Sequence, residues 1–232
     1  LAVGEWPGEK AGQTLAGLAV SHSSDAFFTA AAMSSLPSHL GTVAQALAAA
    51  PPKLALPLLP YVLETALATN NQEAVKHVLS IGHNDDPATR FPVYASFLSA
   101  IDRRKIKLDA YREKASPALR DSLDAASALT DAARRMVADK QTPPNNRIAA
   151  LTLLGRSSAG QKQDFVLLAS LLDPQSPPEL QLAAVQRLGE VRQIEILLQA
   201  WAKSTPSLRA TIVSQCLNQQ ADALMLLDAI ES

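Results

Sequence analysis

Residues 176–191 read SPPELQLAAVQRLGEV, and residues 204–219 repeat the same helical pattern as STPSLRATIVSQCLNQ. Apolar side chains recur at steps of three and four, as expected for helices that bury one face. The matched pairs, 28 positions apart, are Leu180 with Leu208, Ala184 with Ile212, Val185 with Val213, and Leu188 with Cys216. The pattern predicts that each copy begins a pair of packed helices.

Two further copies lie upstream, NNRIAALTLLGR at 145–156 and DAFFTAAAMSSL at 25–36. In the first of these, Ala149, Leu154 and Gly155 lie 34 positions before their counterparts Ala183, Leu188 and Gly189; in the second, the matching residues are Phe28, Ala32, Met33 and Leu36. A helix pair repeated every ~30 residues is typical of an α-solenoid. The sequence therefore predicts an α-α superhelix of roughly 13–14 helices in antiparallel pairs.

Composition supports an all-α fold and argues against nucleic acid as a partner. The chain has 41 alanines and 35 leucines, whereas aromatic residues make up only 4 %. Small and unbranched side chains favour helices and their close packing. The 21 basic and 22 acidic residues are spread evenly along the chain, so no half offers the basic surface that a phosphate backbone selects.

Cys216 is the single cysteine, which excludes a disulfide within the chain and a CxxCH haem-attachment motif among these residues. It takes a core position of the repeat, so we expect a buried apolar side chain and not a reactive thiol. No apolar run reaches the ~18 residues of a membrane span, so this segment is not expected to insert into a membrane.

We expect residues 1–232 to form one solenoid domain excised from a longer chain. LAVGEW at 1–6 resembles the end of a helix, as in RLGEV at 187–191. The least regular region is about 83–115, which carries Phe91, Tyr94 and Phe97, and a seam is expected near 83–90.

Capping residues, prolines and glycines predict several helix boundaries. Asp25 is expected to cap a helix that ends at Pro37. An apolar helix is expected over 54–67. Asn70 with Glu73 predicts a capping box for the following helix, which stops at Gly82.

Serine or threonine followed by proline predicts further helix starts. Ser116 and Pro117 open the longest predicted helix, ~23 residues and ~34 Å, which reaches about Asp139. The same dipeptide recurs at Thr142, Ser176 and Thr205, and Ser176 with Glu179 fits a capping box. A helix is also expected from about Phe91 to Arg103, and a shorter one from Leu108.

No catalytic, cofactor-binding or metal-ligating residue is predicted. The four histidines are scattered and lack a second ligand at the spacing of a helical metal site; they are His22, His39, His77 and His83. The HNDDP loop at 83–87 lacks the ligand spacing of a calcium loop. GxSxG, P-loop, dinucleotide-binding and HExxH motifs do not occur in the sequence.

Basic and aromatic residues receive structural interpretations. The positive run is Arg103, Arg104, Lys105 and Lys107, with Arg134 and Arg135 as a second, smaller group. Acidic neighbours flank the run, so we expect an exposed helix end. Trp6 and Trp201 are expected to pack in the core.

Two arginines are expected to brace neighbouring helix pairs. Arg147 and Arg209 each fall in the first turns of a predicted helix. The expected partners are carboxylates such as Asp173 or Asp228.

Several of these stretches resemble the HEAT-repeat segment of large membrane-bound or secreted dehydrogenases of planctomycete and verrucomicrobial type. The resemblance rests on LAVGEW, SSDAFFTAAAMSSLPSHL, the run from NNRIAALTLLGR to TPSLRATIVSQCL, and LLDAIES. In that family a β-propeller resembling sugar dehydrogenases precedes the helical segment and a c-type haem domain follows it. The resemblance implies an extracytoplasmic parent oxidoreductase, with haem c outside this segment and no functional residue within it.

The leading hypothesis is a non-catalytic HEAT-like scaffold or protein-interaction domain, serving as a spacer between dehydrogenase-like and cytochrome-like modules. One alternative is an enzyme on a HEAT-like fold, such as a DNA glycosylase or a bilin lyase. A second alternative is a peptide-binding solenoid. In that case the second helices of the pairs, at about 193–202 and 219–230, would present their side chains along one surface.

Overall fold

The computed structural model describes residues 6–156, 160–217 and 223–227. In these ranges every regular element is helical and no strand occurs, so the predicted all-α helical-repeat fold is confirmed. The α-helices are α1 (Glu9–Ser21), α2 (Ala26–Met33), α3 (Leu36–Ala49), α4 (Pro52–Ala55), α5 (Leu59–Ala68), α6 (Gln72–Ile81), α7 (Pro87–Arg103), α8 (Leu108–Glu113), α9 (Pro117–Ser127), α10 (Leu129–Ala138), α11 (Pro144–Leu151), α12 (Gln161–Ser170), α13 (Pro178–Glu190), α14 (Ile194–Ala200) and α15 (Pro206–Cys216). Single turns of 3₁₀-helix cover Leu56–Leu58 and Trp201–Lys203.

Contacts between residues divide the chain into two compact units, residues 1–129 (unit 1) and 130–232 (unit 2). The boundary falls between Leu129 and Thr130, whereas the sequence suggested a seam near 83–90, which lies inside unit 1. That one domain spans the whole chain stays a prediction. The helix end expected at residues 1–6 lies outside the described residues, apart from Trp6.

Unit 1 consists of two layers of helices. In one layer α1, α3, α6 and α9 pack side by side in that order, and in the other α5 and α7 pack on each other and cover α6. The layers meet over an apolar core whose largest fully buried side chains are Phe91, Phe97, Leu36, Leu47, Leu58, Leu59, Leu63, Ile101 and Leu119. A Cβ added at Gly12 would lie 2.9 Å from Thr42 Cβ, so this glycine permits the close approach of α1 and α3.

Unit 2 repeats the two-layer arrangement. The first helices of successive pairs, α11, α13 and α15, pack side by side, and α12 and α14 form the second layer against α13. The core is made of leucines, led by Leu153, Leu154 and Leu168. Cys216 is completely buried among them, as its position in the repeat predicted.

Several predicted capping residues are confirmed. The Asp25 carboxylate accepts the Phe28 N–H at 2.9 Å, and Ser116 accepts the Leu119 N–H at 3.4 Å. Thr205 likewise caps α15. Helix α6 ends at Gly82, as predicted, and α8 begins at Leu108.

Other predicted caps are wrong. Asn71, not Asn70, caps α6 by accepting the Ala74 N–H at 3.0 Å, because Asn70 has a left-handed backbone with φ of 52°. Ser176 makes no cap, and Pro177 occupies the N-cap position of α13. Thr142 makes no cap either, because Pro143 occupies the N-cap position of α11, and the Thr142 hydroxyl donates to Asp139.

Proline changes three of the predicted helix boundaries. Pro37 does not end α2; it is the second residue of α3. The apolar stretch 54–67 is not one helix, because Pro57 and Pro60 lack the N–H that a continuous helix needs, and it divides into α4, a 3₁₀ turn and α5. Helix α7 starts at Pro87 and continues through Pro92, earlier than the expected start at Phe91.

The long helix predicted over 116–139 is interrupted at Ala128, where α9 ends and α10 begins. The stretch contains no glycine or proline after Pro117, so no residue type signals the break. The interruption coincides with the boundary between the two units. A brace formed by one continuous helix is therefore a wrong prediction.

Candidate functional site

The same side-chain contact recurs at one position of the first helices of unit 2. Helices α11, α13 and α15 each begin with a proline, and the fourth residue of each donates to carbonyl groups at or just after the end of the preceding helix. Arg147 Nε and Nη2 lie 3.0 and 2.9 Å from the Val137 oxygen. Gln181 Nε2 lies 2.7 Å from the Asp173 oxygen, and Arg209 Nε lies 3.0 Å from the Trp201 oxygen.

Unit 1 contains the same contact at α9. This helix also begins with a proline, and its fourth residue, Arg120, donates to the carbonyl oxygens of Glu113 and Ala115 at 3.2 and 3.3 Å. We call this contact the carbonyl clamp. Its four members are Arg120, Arg147, Gln181 and Arg209.

The carbonyl clamp has a simple physical basis. The last four carbonyl groups of a helix have no partner within the helix, and a cation near them is favoured by the helix dipole. A long donor side chain from the next helix can therefore satisfy these carbonyls and fix the angle between consecutive helices. In Arg209 the guanidinium also lies over the Trp201 ring, 5.6 Å from its centroid.

The clamp corrects the expected role of the two predicted bracing arginines. Arg147 and Arg209 do brace neighbouring helices, but through backbone carbonyls and not through carboxylates. The Asp173 carboxylate instead accepts the Gln175 N–H at 2.8 Å. Asp228 lies outside the described residues.

Replacing Arg147 with methionine should lower the free energy of unfolding of unit 2 by about 1–3 kcal/mol, because the Val137 carbonyl is buried and would lose both donors. Arg147→Lys should have a smaller effect, since one ammonium group can replace part of the fork. Urea unfolding followed by Trp201 fluorescence in a Trp6→Phe background measures this difference. Arg135→Met removes the same charge at an exposed position and is the control; equal losses in both variants would contradict the clamp.

Arg134 is at the centre of a second buried network in unit 2. Its Nε and Nη2 donate to the two oxygens of Asp164 at 2.6 and 3.3 Å, and this carboxylate is completely buried. The Gly155 N–H, at a backbone φ of 78°, donates to the same carboxylate at 2.9 Å. The hydrogen bonds that Arg134 donates to the Asp164 carboxylate raise the pKa of Arg134, so the guanidinium stays charged in its network. Arg134 therefore holds α10 against α12 and is not available as part of an open basic surface.

Arg187 makes a further connection that the sequence did not reveal. It is 3 % exposed, its Nε lies 2.7 Å from the Leu154 oxygen, and its Nη1 lies 2.7 Å from Glu190. Leu154 lies 33 positions earlier, so the contact joins one helix pair to the pair before it. A contact across 33 positions of the chain can be recognised only in the folded structure.

Three clefts surround the turn between α12 and α13 in unit 2. One, of about 460 Å³, lies next to Arg147 and Lys140, and another, of about 350 Å³, is bordered by Ile196 and Lys203. The largest, of about 710 Å³, lies between α13 and α15, with Leu182 on its wall. The hydroxyl-bearing residues along this groove are Ser176, Thr205, Ser207 and Thr211.

The predicted exposed helix end at 103–107 is confirmed. Arg103 forms an ion pair with Glu64, whereas Arg104, Lys105 and Lys107 are exposed. Trp6, in contrast, is 63 % exposed, so its predicted place in the core is wrong. Trp201 is half-buried beneath Arg209.

The histidines do not come together. His39 is buried in α3, His77 is half-buried in α6, and His83 is exposed. His22 stacks on the Phe28 ring, with centroids 4.4 Å apart. Among the described residues, no group of three or more potential metal ligands of the His, Cys, Asp and Glu types occurs.

Comparison of the chain with family models, with curated proteins and with solved structures gives no match. No helix in the part of the chain that the structure describes has the length and apolar character needed to span a bilayer.

Proposed function

We propose that this chain is a helical-repeat scaffold or protein-interaction domain of the HEAT-like type. The observation that carries the proposal is the carbonyl clamp, which recurs at the same position of four proline-initiated helices. In unit 2, three of these helices are consecutive members of one layer. Four of the five polar side chains buried in the described part of this unit bond to an earlier helix or to the turn that follows it; they are Arg147, Asp164, Gln181 and Arg187. Such links between helices suit a spacer.

The proposed parent protein is an extracytoplasmic oxidoreductase in which this segment separates a dehydrogenase-like module from a cytochrome-like module. This part of the proposal rests on the sequence resemblance. The helical segment would set the distance between the two modules, and haem c would belong to the neighbouring module. The partners are then protein modules of the same polypeptide.

A spacer must hold its ends at a fixed separation, and this property can be measured on the 232-residue chain. Spin labels on Lys10→Cys and Lys203→Cys, in a Cys216→Val background, report the distance between two exposed sites in different units. A single narrow distance distribution from pulsed electron resonance is expected. Insertion of a Gly-Ser segment after Ala128 is the matched control and should broaden the distribution. An equally broad distribution without the insertion would refute the spacer.

The proposal also predicts no turnover and no bound metal for the isolated chain. Metal analysis of the purified protein and a broad substrate screen test this expectation. A stoichiometric metal or reproducible turnover would favour the enzymatic alternative, and a DNA mobility shift at physiological salt would favour a glycosylase.

The groove between α13 and α15 supports peptide binding as a second candidate function. Its volume of about 710 Å³ suits an extended segment, and Leu182 is 41 % exposed on its wall. The bordering hydroxyls can bond to a peptide backbone, while Leu182 would contact one apolar side chain. This groove lies between first helices, whereas the sequence analysis considered the second helices for this role.

Selection of binders from a random peptide display library tests the second candidate. Peptides with one apolar residue among polar ones should be enriched, and Leu182→Glu should abolish their binding. Val166→Glu is the control, because Val166 is 71 % exposed on α12 and does not border the groove. Equal binding to both variants would exclude the groove as the site.

A further inference from the structure

Unit 1 contains a cavity of about 340 Å³ between the end of α6, the first turns of α7 and the middle of α9. Its apolar wall is formed by Leu79, Val93, Ala126 and Leu129. Two polar side chains of α7, Arg90 and Tyr94, line the same cavity. They are four positions apart, so they lie on one face of the helix one turn from each other.

Arg90 occupies the clamp position but does not form the carbonyl clamp. Helix α7 begins with Pro87, and Arg90 is its fourth residue, as in the four clamped helices. The carbonyl that it would be expected to reach, that of Ile81 at the end of α6, already accepts Asn84 Nδ2 at 3.1 Å. Asn84 thus replaces the arginine in its structural role and leaves the guanidinium without that function.

The Arg90 guanidinium lies over the Phe91 ring, 5.9 Å from its centroid, and makes no ion pair with a described residue. Its Nε is buried without a hydrogen-bond partner. Neither acid in the loop before α7 forms an ion pair with Arg90: Asp86 accepts from the Ala88 N–H and the Thr89 hydroxyl, and Asp85, which also lines the cavity, is exposed. The side chain as a whole is half-buried, but a buried donor without an acceptor is costly, so the arrangement favours a ligand that brings an acceptor to Nε.

Tyr94 offers a second donor beside it. The residue is 3 % exposed, and its hydroxyl makes no hydrogen bond with any described residue. Burial raises the pKa of Tyr94 to about 12, so the phenol is neutral and able to donate at physiological pH. Its ring is fixed by stacking on Phe97, with centroids 6.1 Å apart.

We propose that this cavity binds a small monocarboxylate with an apolar body. The Arg90 guanidinium forms a fork that matches the two oxygens of a carboxylate, and the Tyr94 hydroxyl donates to one of them. The apolar body lies against Leu79, Val93 and Leu129. Asp85 also lines the cavity, and its carboxylate would repel additional negative charge on a ligand. A single arginine beside this acid therefore favours a ligand with one negative charge over a phosphate ester with two. This inference is independent of the proposed scaffold function.

Titration with hexanoate, followed by amide NMR and calorimetry on the 232-residue chain, tests the site. Hexanoate should bind saturably and shift resonances of α7 and α9, whereas hexanamide and acetate should bind about tenfold more weakly or worse. Arg90→Gln should reduce hexanoate affinity about tenfold or more, and Tyr94→Phe several-fold. Arg104→Gln removes the same charge at an exposed position and should bind as the unmodified chain does.

The thermal midpoint separates loss of binding from loss of folding. Because Arg90 Nε has no hydrogen-bond partner and the side chain contacts only the Phe91 ring as a charge partner, Arg90→Gln should change the midpoint little, and Arg90→Lys should keep the charge with intermediate affinity. Absence of saturable hexanoate binding would overturn the proposal, as would equal affinity for hexanoate and hexanamide. Undiminished binding by Arg90→Gln would overturn it as well.

A carboxylate can also come from the end of a peptide chain. One further ligand in the titration distinguishes a free small carboxylate from a peptide C-terminus. A tripeptide ending in leucine carries the same carboxylate and apolar group on a larger body. Binding weaker than that of hexanoate supports a free small molecule. Tighter, carboxylate-dependent binding of the tripeptide would overturn that source and assign the site to a chain terminus.

Discussion

Replacing Asp164 with alanine is expected to lower the free energy of unfolding of unit 2 by about 3–5 kcal/mol, the cost of removing one partner of a buried ion pair. The carboxylate is completely buried and accepts three hydrogen bonds, two from Arg134 and one from the Gly155 N–H. Without it, a guanidinium with only 16 % of its side chain exposed would keep its charge and lose its main partner. Asp164→Asn should lower the free energy of unfolding by a smaller amount, because the amide oxygen can still accept one of these hydrogen bonds.

Urea unfolding in a Trp6→Phe background, in which Trp201 is the only tryptophan, measures this loss of stability in unit 2. Asp131→Ala is the matched control, since Asp131 binds the same arginine at 2.7 Å but is 71 % exposed and should contribute far less. If the two alanine variants unfolded at the same urea concentration, burial of Asp164 would not be the reason for its contribution.

Phe97→Ala should have an effect of similar size in unit 1, about 3–5 kcal/mol, as for other large aromatic truncations in a core. Phe97 is fully buried and contacts two aromatic rings, with centroid distances of 6.1 Å to Tyr94 and 5.9 Å to Tyr111. Its removal leaves a cavity between α7 and α8 and frees the Tyr94 ring. Hexanoate binding should therefore weaken together with stability.

Hydrogen exchange by mass spectrometry measures the change locally in peptides from α5 and α7. Phe27→Ala makes the same chemical change at a side chain that is 92 % exposed, and it should alter stability by no more than about 0.5 kcal/mol. Unchanged protection of α7 in the Phe97 variant would mean that the aromatic group does not hold this helix.

The sequence was sufficient for the class of fold because its apolar spacing is repeated. Most of the matched residues are buried, and in the copy at 176–191 Leu180, Ala184, Val185 and Leu188 are buried completely. Phe28 and Val213 in other copies are only half-buried. Local chemistry also predicted the caps at Asp25 and Ser116. Backbone breaks were less predictable. One helix was expected over 54–67, although Pro57 and Pro60 are a signal for its division, and nothing in the residue types marks the break at Ala128.

The contacts that join helices were only partly visible in the sequence. A long hydrogen-bond donor side chain three residues after a proline that starts a helix is a local sequence signal. It would have identified Arg120 and Gln181 as well as Arg147 and Arg209, which were predicted to brace helices. The expected acceptor of these arginines, a carboxylate, was wrong. A carboxylate is recognised in the sequence from its residue type, whereas the carbonyl groups without a partner can be located only once the end of the helix is known. At α7 it is Asn84, and not Arg90, that donates to the Ile81 oxygen. This difference depends on the three-dimensional position of that oxygen, so no spacing rule in the sequence predicts it.

The carbonyl clamp has a consequence for how such a chain can grow. The donor and the proline that positions it belong to the same short stretch, while the acceptor is main chain, which every sequence supplies. A tandem duplication in the gene would thus introduce a new helix pair together with its own means of attachment. Lengthening by duplication requires no matching substitution in the older neighbour, and arginine and glutamine can both form the joint at this position.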